Sequence, residues 1–287
     1  MPKGAASVSD MPLDAWCANI PGLTSSGAGM WGLAGDHAVS FPDEAHANLA
    51  MIEERSYWFA HRNQVIASVV GRYTPHGRIF DIGGGNGIVS VALREAGLES
   101  VVIEPGETGA AIARHRGLPV IRAPFQALEL EDSALPAAGM FDVLEHIEDA
   151  DGALRGLHRV LMPGGMIYIA VPAYNFLWSV QDDYGGHFRR YTVRELKMDL
   201  AAAGFQPLYG TYFFAALVPA VFAFRTVPGL LGRRRGDDAD RSAGEHALPD
   251  NMLGRGLERS LSWERDTIGK GHTVPFGTSC LVAARKI

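Results

Sequence analysis

The segment Phe80-Asp81-Ile82-Gly83-Gly84-Gly85-Asn86-Gly87 constrains the fold of this chain more than any other. An apolar run ends in an acid, glycines fall at Gly83, Gly85 and Gly87, and a helical pattern begins. Without a Cβ, backbone at these positions can turn tightly and lie against a ligand. The helix behind such a loop offers unpaired N–H groups and a partial positive charge to an anionic group. A dinucleotide fingerprint needs G-x-G-x-x-G. Its last glycine would fall on Ile88 counted from Gly83 and on Ser90 counted from Gly85, so neither register fits. What remains is a D-x-G-x-G-x-G loop suited to a nucleoside and not shaped around a pyrophosphate.

The surroundings of that loop alternate strand and helix. Residues 78–82 read as a first strand, 101–103 as a second and 118–121 as a third. A fourth lies within 137–144 and a fifth, almost wholly apolar, at 166–171. A strand without polar alternation is one covered on both faces. Residues 205–213 and 278–284 supply a sixth and a seventh, separated by an insertion too long for an ordinary loop. Helical patterns stand between the strands, which implies an α/β fold with a parallel, doubly wound sheet. Residues 1–40, rich in Gly, Ser, Ala and Pro, read as a flexible N-terminal arm, and 41–75 as mainly helical.

Composition narrows the function classes. The 287 residues carry a formal charge of −6, which argues against broad nucleic-acid binding. Two cysteines, Cys17 and Cys280, give neither a disulfide framework nor a metal-binding spacing. No apolar leader precedes the arm, so a cytoplasmic setting is expected.

Beyond the glycine loop, three further stretches fall in a fixed order behind it: Glu104 after the second strand, Phe141-Asp142-Val143-Leu144-Glu145-His146, and the dense stretch from Trp178 to Thr192. From about Trp58 onward, this order resembles class I S-adenosylmethionine-dependent methyltransferases. The likeness is greatest to the branch of quinone-biosynthesis and bacterial small-molecule methyltransferases. That resemblance implies a Rossmann-like, seven-stranded methyltransferase sheet, residues 41–75 as a helical lid, and 212–275 as an insertion or cap.

The resemblance also implies roles. The cofactor would be S-adenosyl-L-methionine, with Asp81 near its amino group and Gly83 and Gly85 along its methionine part. Glu104 would accept from the ribose hydroxyls, as a carboxylate can from any vicinal diol. The adenine edge would meet residues 122–126, where Ala123 stands in place of the acid many members carry, leaving backbone groups and Phe125. Phe141, Asp142, Leu144 and His146 would line the site floor. Trp58 and Arg62 would close over the cofactor from the lid, although an aromatic cluster at helical spacing also fits plain packing.

Trp178, Asp182, Tyr184, Arg189, Arg190 and Tyr191 would form the acceptor site. His187 is the first choice of general base and His146 the second. A purely structural clamp, with arginines paired to aspartates, fits the same stretch. Asp142, Glu145 and His146 partly match the E-x-x-E-H arrangement of some divalent-metal methyltransferases. Asp replaces the first Glu, so no metal is expected and the simplest reading leaves Glu145 exposed. The apolar run 213–224 is too short to span a bilayer. It reads as an acceptor-pocket wall, with a peripheral membrane contact through 212–235 as a further reading. Methyl transfer to a small, lipophilic acceptor is the expected activity. A non-catalytic S-adenosylmethionine-binding subunit or sensor is the alternative.

Overall fold

The structure is a computed structural model that describes residues 11–27, 29–35, 43–74, 77–227 and 251–287. It opens with α1 (Leu13–Ala18), the hairpin β1 (Leu23–Gly27) and β2 (Met30–Leu33), then α2 (Asp43–Glu53) and α3 (Tyr57–Arg72). The alternating core follows: β3 (Ile79–Ile82), α4 (Ile88–Glu95), β4 (Ser100–Ile103), α5 (Glu107–His115), β5 (Val120–Arg122) and β6 (Leu135–Phe141). After it come α6 (Ala150–Val160), β7 (Leu161–Pro172), α7 (Val180–Gly185), α8 (Val193–Ala202) and β8 (Phe205–Phe213). The chain ends with α9 (Val218–Val221), α10 (Met252–Gly269) and β9 (Ser279–Lys286).

The strands form one sheet in the order β1-β2-β5-β4-β3-β6-β7-β9-β8. The strands from β2 through β7 in that order pair in parallel, while β9 runs antiparallel between β7 and β8. Side chains alternate across the pleat, so each strand feeds two cores. In β7, Ile167, Ile169 and Val171 pack on one face of the sheet, and Met166, Tyr168 and Ala170 on the other. The strand order reverses between β3 and β6. In a doubly wound sheet that reversal opens a crevice at the carboxyl ends of the strands. Asp81, Glu104 and Asp142 all stand at this end.

Seven of these strands match the expected core. The other two correct the reading of residues 1–40 as a flexible arm. Residues 11–35 hold α1 and the β1–β2 hairpin, and β2 pairs with β5 from Met30↔Val120 to Gly32↔Arg122. The hairpin thus extends the sheet to nine strands. Trp16 explains the anchoring: it is buried, and its ring lies 4.7 Å from that of Phe80.

The helical stretch before β3 divides at Ser56, whose Oγ accepts N–H groups of Trp58 (3.2 Å) and Phe59 (3.4 Å) and so starts a new helix. A serine N-cap contributes about 1 kcal/mol. The same logic starts α6 at Asp149, which accepts from Gly152 N–H at 2.9 Å. Thr192 and Glu195 form a reciprocal capping box at the start of α8. Arg233–Arg235, the charged part of the insertion, lies outside the described residues.

Candidate active site

The glycine loop leaves β3 and turns beneath β4. Gly83, Gly85 and Gly87 have φ of 67°, 52° and 73°, a region L residues avoid. Glu104 stitches the loop to the next strand: its carboxylate accepts the N–H of Gly85 at 2.8 Å and of Gly106 at 2.7 Å. Asp81 is buried and accepts from Ser90 Oγ at 2.7 Å. Burial raises its carboxyl to about 6, against the pull of Ser90 and the Arg62 charge. Gly84 leaves it room, since a Cβ there would lie 2.9 Å from the Asp81 carboxyl.

Arg62 reaches down from α3 onto this acidic floor. Its Nε lies 3.0 Å from Asp142 Oδ2, and its guanidinium stands 5.4 Å from the Trp58 ring centroid. Asp142 itself has φ of 58°, unusual for a residue with a Cβ. Such conformations persist where surrounding structure enforces them, often in functional sites.

Opposite Arg62, Asp182 organises the loop after β7. Arg190 grips both carboxylate oxygens, Nε to Oδ1 at 2.7 Å and Nη2 to Oδ2 at 2.8 Å. Ser179 donates to Oδ2 from its N–H and its hydroxyl, and His187 Nδ1 lies 2.9 Å from Oδ1. Burial raises the carboxyl's proton affinity, but the bonds from His187 and Arg190 outweigh it and hold the pKa far below the usual range. An ionised Asp182 only accepts, so His187 Nδ1 carries a proton and Nε2 keeps its lone pair in the neutral ring.

The His187 ring meets His146 edge to face with centroids 4.6 Å apart. Burial and the neighbouring His187 lower the His146 pKa. Beside them Glu145 is fully buried, and neither carboxylate oxygen has a hydrogen-bond partner among the described residues. Burial, with Asp142 nearby, pushes its pKa well up and favours the neutral carboxyl. Ligand atoms of Glu145, His146 and His187 lie within 4.8 Å of one another, a set that could hold a metal ion.

A single cavity of about 1490 Å³ joins these groups. Among residues expected at the site, Asp81, Gly83, Gly85, Glu104, Phe125, Phe141, Asp142, Trp58 and Arg62 line it. So do His146, His187, Asp182, Tyr184 and Arg190. The others need correction. Ala123 and Leu144 are fully buried in the core beneath the sheet's end and do not line the cavity. Tyr191 is likewise a core residue. Trp178 turns aside and donates from Nε1 to Asp183 at 2.9 Å. Arg189 bonds the carbonyls of Ile147 and Glu148, a clamp between two loops. Arg190 lines the cavity with its guanidinium committed to Asp182, so it is not a ready anion site. Glu145, expected to be exposed, is buried.

Several polar residues carried no local signal in the sequence. His46 and Glu53 on α2 reach Asn86 in the glycine loop, at distances visible only once α2 has folded across it. Glu264 on α10 is fully buried and accepts the N–H groups of Phe214 (2.8 Å) and Ala215 (2.6 Å) and His61 Nε2 (3.0 Å). Phe214, in the left-handed region with φ of 63°, stacks on Trp58 at 5.3 Å. Helix α3, the residues just after β8 and α10 are thus fastened together.

Residues 54–209, more than half of the chain, match the methyltransferase domain family. The chain belongs to that family. Its cofactor is S-adenosyl-L-methionine, and the glycine loop, Glu104 and the acidic floor under Arg62 suit a ligand with vicinal hydroxyls, an ammonium and a carboxylate. The ubiquinone biosynthesis O-methyltransferase of Bordetella avium is 31% identical over 100 residues, 32% of this chain and 42% of that protein. The Pseudomonas aeruginosa protein of the same name is 32% identical over 100 residues, 32% of this chain and 43% of its own length. The matched stretch therefore spans under half of these relatives. Haemonchus contortus phosphoethanolamine N-methyltransferase 2, solved with S-adenosyl-L-methionine, shares the fold at a TM-score of 0.53 and 18% identity. That match covers 85% of this methyltransferase and 57% of the solved chain.

Proposed function

We propose that this methyltransferase transfers the methyl group of S-adenosylmethionine to a hydroxyl oxygen of a small lipophilic acceptor. The observation that carries the reading is the Asp182–His187 pair, facing His146 in the cavity that also holds the glycine loop. Asp182 fixes the ring and its tautomer, so His187 Nε2 is the group that accepts the hydroxyl proton. A positioned imidazole base contributes about 10²–10⁴-fold to such a step. Arg62 binds the carboxylate of the cofactor's methionine part, Asp81 its ammonium, and Glu104 its ribose.

S-adenosylmethionine supplies a methyl group activated by a sulfonium. The protein's part is to hold the acceptor oxygen in line and to keep the site dry. Leu217, Ala220 and Val221 give the cavity an apolar wall. Phe176 and Phe222, both exposed with ring centroids 6.3 Å apart and Phe222 next in sequence to the lining residue Val221, favour a lipophilic acceptor. They also favour a peripheral contact with a bilayer surface through the segment beginning at residue 212. No helix among the described residues is long and apolar enough to cross a membrane. The names of the sequence relatives support oxygen as the methylated atom.

The test is transfer of labelled methyl from S-adenosylmethionine to a panel of alkylated phenols, catechols and amines. Methylation of a phenolic hydroxyl, lost in His187→Ala, is expected. Transfer only to amines, or undiminished turnover in His187→Ala, removes this reading.

A second reading of the same three residues is a divalent cation held by Glu145, His146 and His187. The mutual reach of their ligand atoms favours it. Asp142, already paired with Arg62, would not be a ligand. Magnesium and zinc titrations of the wild type and Glu145→Gln decide between the two. Activity unaffected by chelation leaves His187 as the base.

A further inference from the structure

Helix α2 lies across the glycine loop, and its His46 ring occupies a defined space there. His46 Cε1 stands 3.3 Å from where a Cβ on Gly85 would be, and 3.1 Å from where one on Gly109 would be. Glu104 Cγ is 3.2 Å from that same Gly109 position. The ring therefore sits between the glycine loop, the first turn of α5 and the Glu104 carboxylate. Two glycines make room for it.

Its orientation is fixed by a buried network. Asn86 Nδ2 donates to the His46 carbonyl at 2.9 Å and to Glu53 Oε2 at 3.3 Å, so Asn86 Oδ1 is the acceptor. His46 Nδ1, 3.1 Å away, must then donate to it, which makes Nε2 an acceptor in the neutral ring. Arg116 completes the network by donating from Nη1 to Glu53 Oε2 and to the Asn86 carbonyl, both at 2.8 Å. His46, Glu53 and Asn86 are 5%, 5% and 2% exposed. Burying an ion pair is costly, and such pairs often serve to fix one arrangement more than to add stability.

We propose that His46 is a cofactor-contacting residue, and that α2 is a strap over the nucleoside half of S-adenosylmethionine latched by Glu53, Arg116 and Asn86. The proposal rests on the glycine loop being the cofactor site. His46 covers the ribose side, opposite the methionine end where Arg62 acts. Glu53 and Arg116 are positioning residues, since they touch the strap and the loop.

The experiment uses the full chain and two probes: S-adenosylhomocysteine, and 5′-methylthioadenosine, which keeps the nucleoside and thioether but has no ammonium or carboxylate. Affinities come from calorimetry and dissociation rates from stopped flow. His46→Ala is expected to weaken both probes by a similar factor, about tenfold. Arg62→Ala is expected to weaken S-adenosylhomocysteine alone. Arg116→Ala is expected to speed dissociation of both probes. Should His46→Ala fail to fold by circular dichroism, His46→Gln replaces it with the same expected loss. Unchanged or tighter binding of both probes in a folded His46 variant overturns the proposal, because the ring would then be a bystander or a plug. Wild-type protein that binds neither probe overturns the cofactor reading beneath it.

Discussion

Asp182 Oδ1 lies 2.9 Å from His187 Nδ1, and the same carboxylate takes both arms of Arg190. One buried acid therefore holds together the imidazole, the arginine and the start of α7.

Asp182→Asn should uncouple these roles. Asparagine can donate where aspartate only accepts, so the His187 tautomer is no longer fixed, and turnover should fall about 10²-fold or more. The unmatched Arg190 charge should cost about 3 kcal/mol of stability. In the folded wild type the Asp182 pKa is depressed, so its stabilisation is full above the unfolded carboxyl's pKa. It is lost as pH falls toward the lower folded value. Acid unfolding followed by fluorescence should begin at higher pH in the variant.

Asp81 works in the other direction. Its folded pKa is raised to about 6, so below that pH it is neutral and no longer attracts an ammonium. The affinity for S-adenosylhomocysteine should fall as pH drops through about 6. Asp81→Asn should bind more weakly at neutral pH and lose this dependence. By the same linkage, charging buried Asp81 costs folding stability above about 6, and the penalty disappears below the unfolded pKa. A wild-type affinity flat from pH 5 to 8 would contradict the assignment of Asp81 to the ammonium.

Glu264 tests the fastening of α3 to the residues just after β8. Glu264→Ala leaves the N–H groups of Phe214 and Ala215, and the His61 ring, without their acceptor. Unsatisfied buried donors cost about 1–3 kcal/mol each, and they share one site, so a loss of about 3–5 kcal/mol is expected in urea unfolding. Glu264→Gln should lose less, because its carbonyl oxygen still accepts.

Glycines in this chain are not equivalent. An alanine Cβ at Gly87 would stand 2.5 Å from Leu118 Cδ1 and 3.0 Å from Ala113 Cβ, at a φ of 73°. Backbone strain and overpacking together predict a loss of about 2–4 kcal/mol. Gly97, at φ of 79°, has nothing within 4 Å, so Gly97→Ala should cost only the backbone term of about 1 kcal/mol. Thermal melts of the two variants compare the effects directly.

The order of strands from β3 onward was legible because apolar runs, glycines and caps are local signals. The hairpin at residues 23–33 was not. β1 exposes all but its first residue, so its pattern resembles a loop, and only pairing of β2 with β5 makes it part of the sheet. At the site, Asp81, Glu104 and His187 stand out by residue type and position. Which of the adjacent Asp182 and Asp183 meets the imidazole is decided only by the fold, where Asp182 does and Asp183 takes the Trp178 N–H. The fates of Arg189 and Arg190 could not be read either, because two adjacent arginines look alike until one meets backbone carbonyls and the other a carboxylate. Glu145 misled for a related reason: a glutamate is ordinarily exposed, and its burial follows from how the short helix Leu144–His146 packs. His46 and Glu264 reach partners on distant elements, and no spacing rule connects them.

The most direct measurement is calorimetric titration of the full chain with S-adenosylhomocysteine, with NAD as comparator, in the wild type and Glu104→Ala. The expected result is one site for S-adenosylhomocysteine, no binding of NAD, and affinity weakened about tenfold or more in the variant. Preference for NAD, or equal S-adenosylhomocysteine affinity in both proteins, would contradict the glycine loop and Glu104 as the methyl-donor cradle.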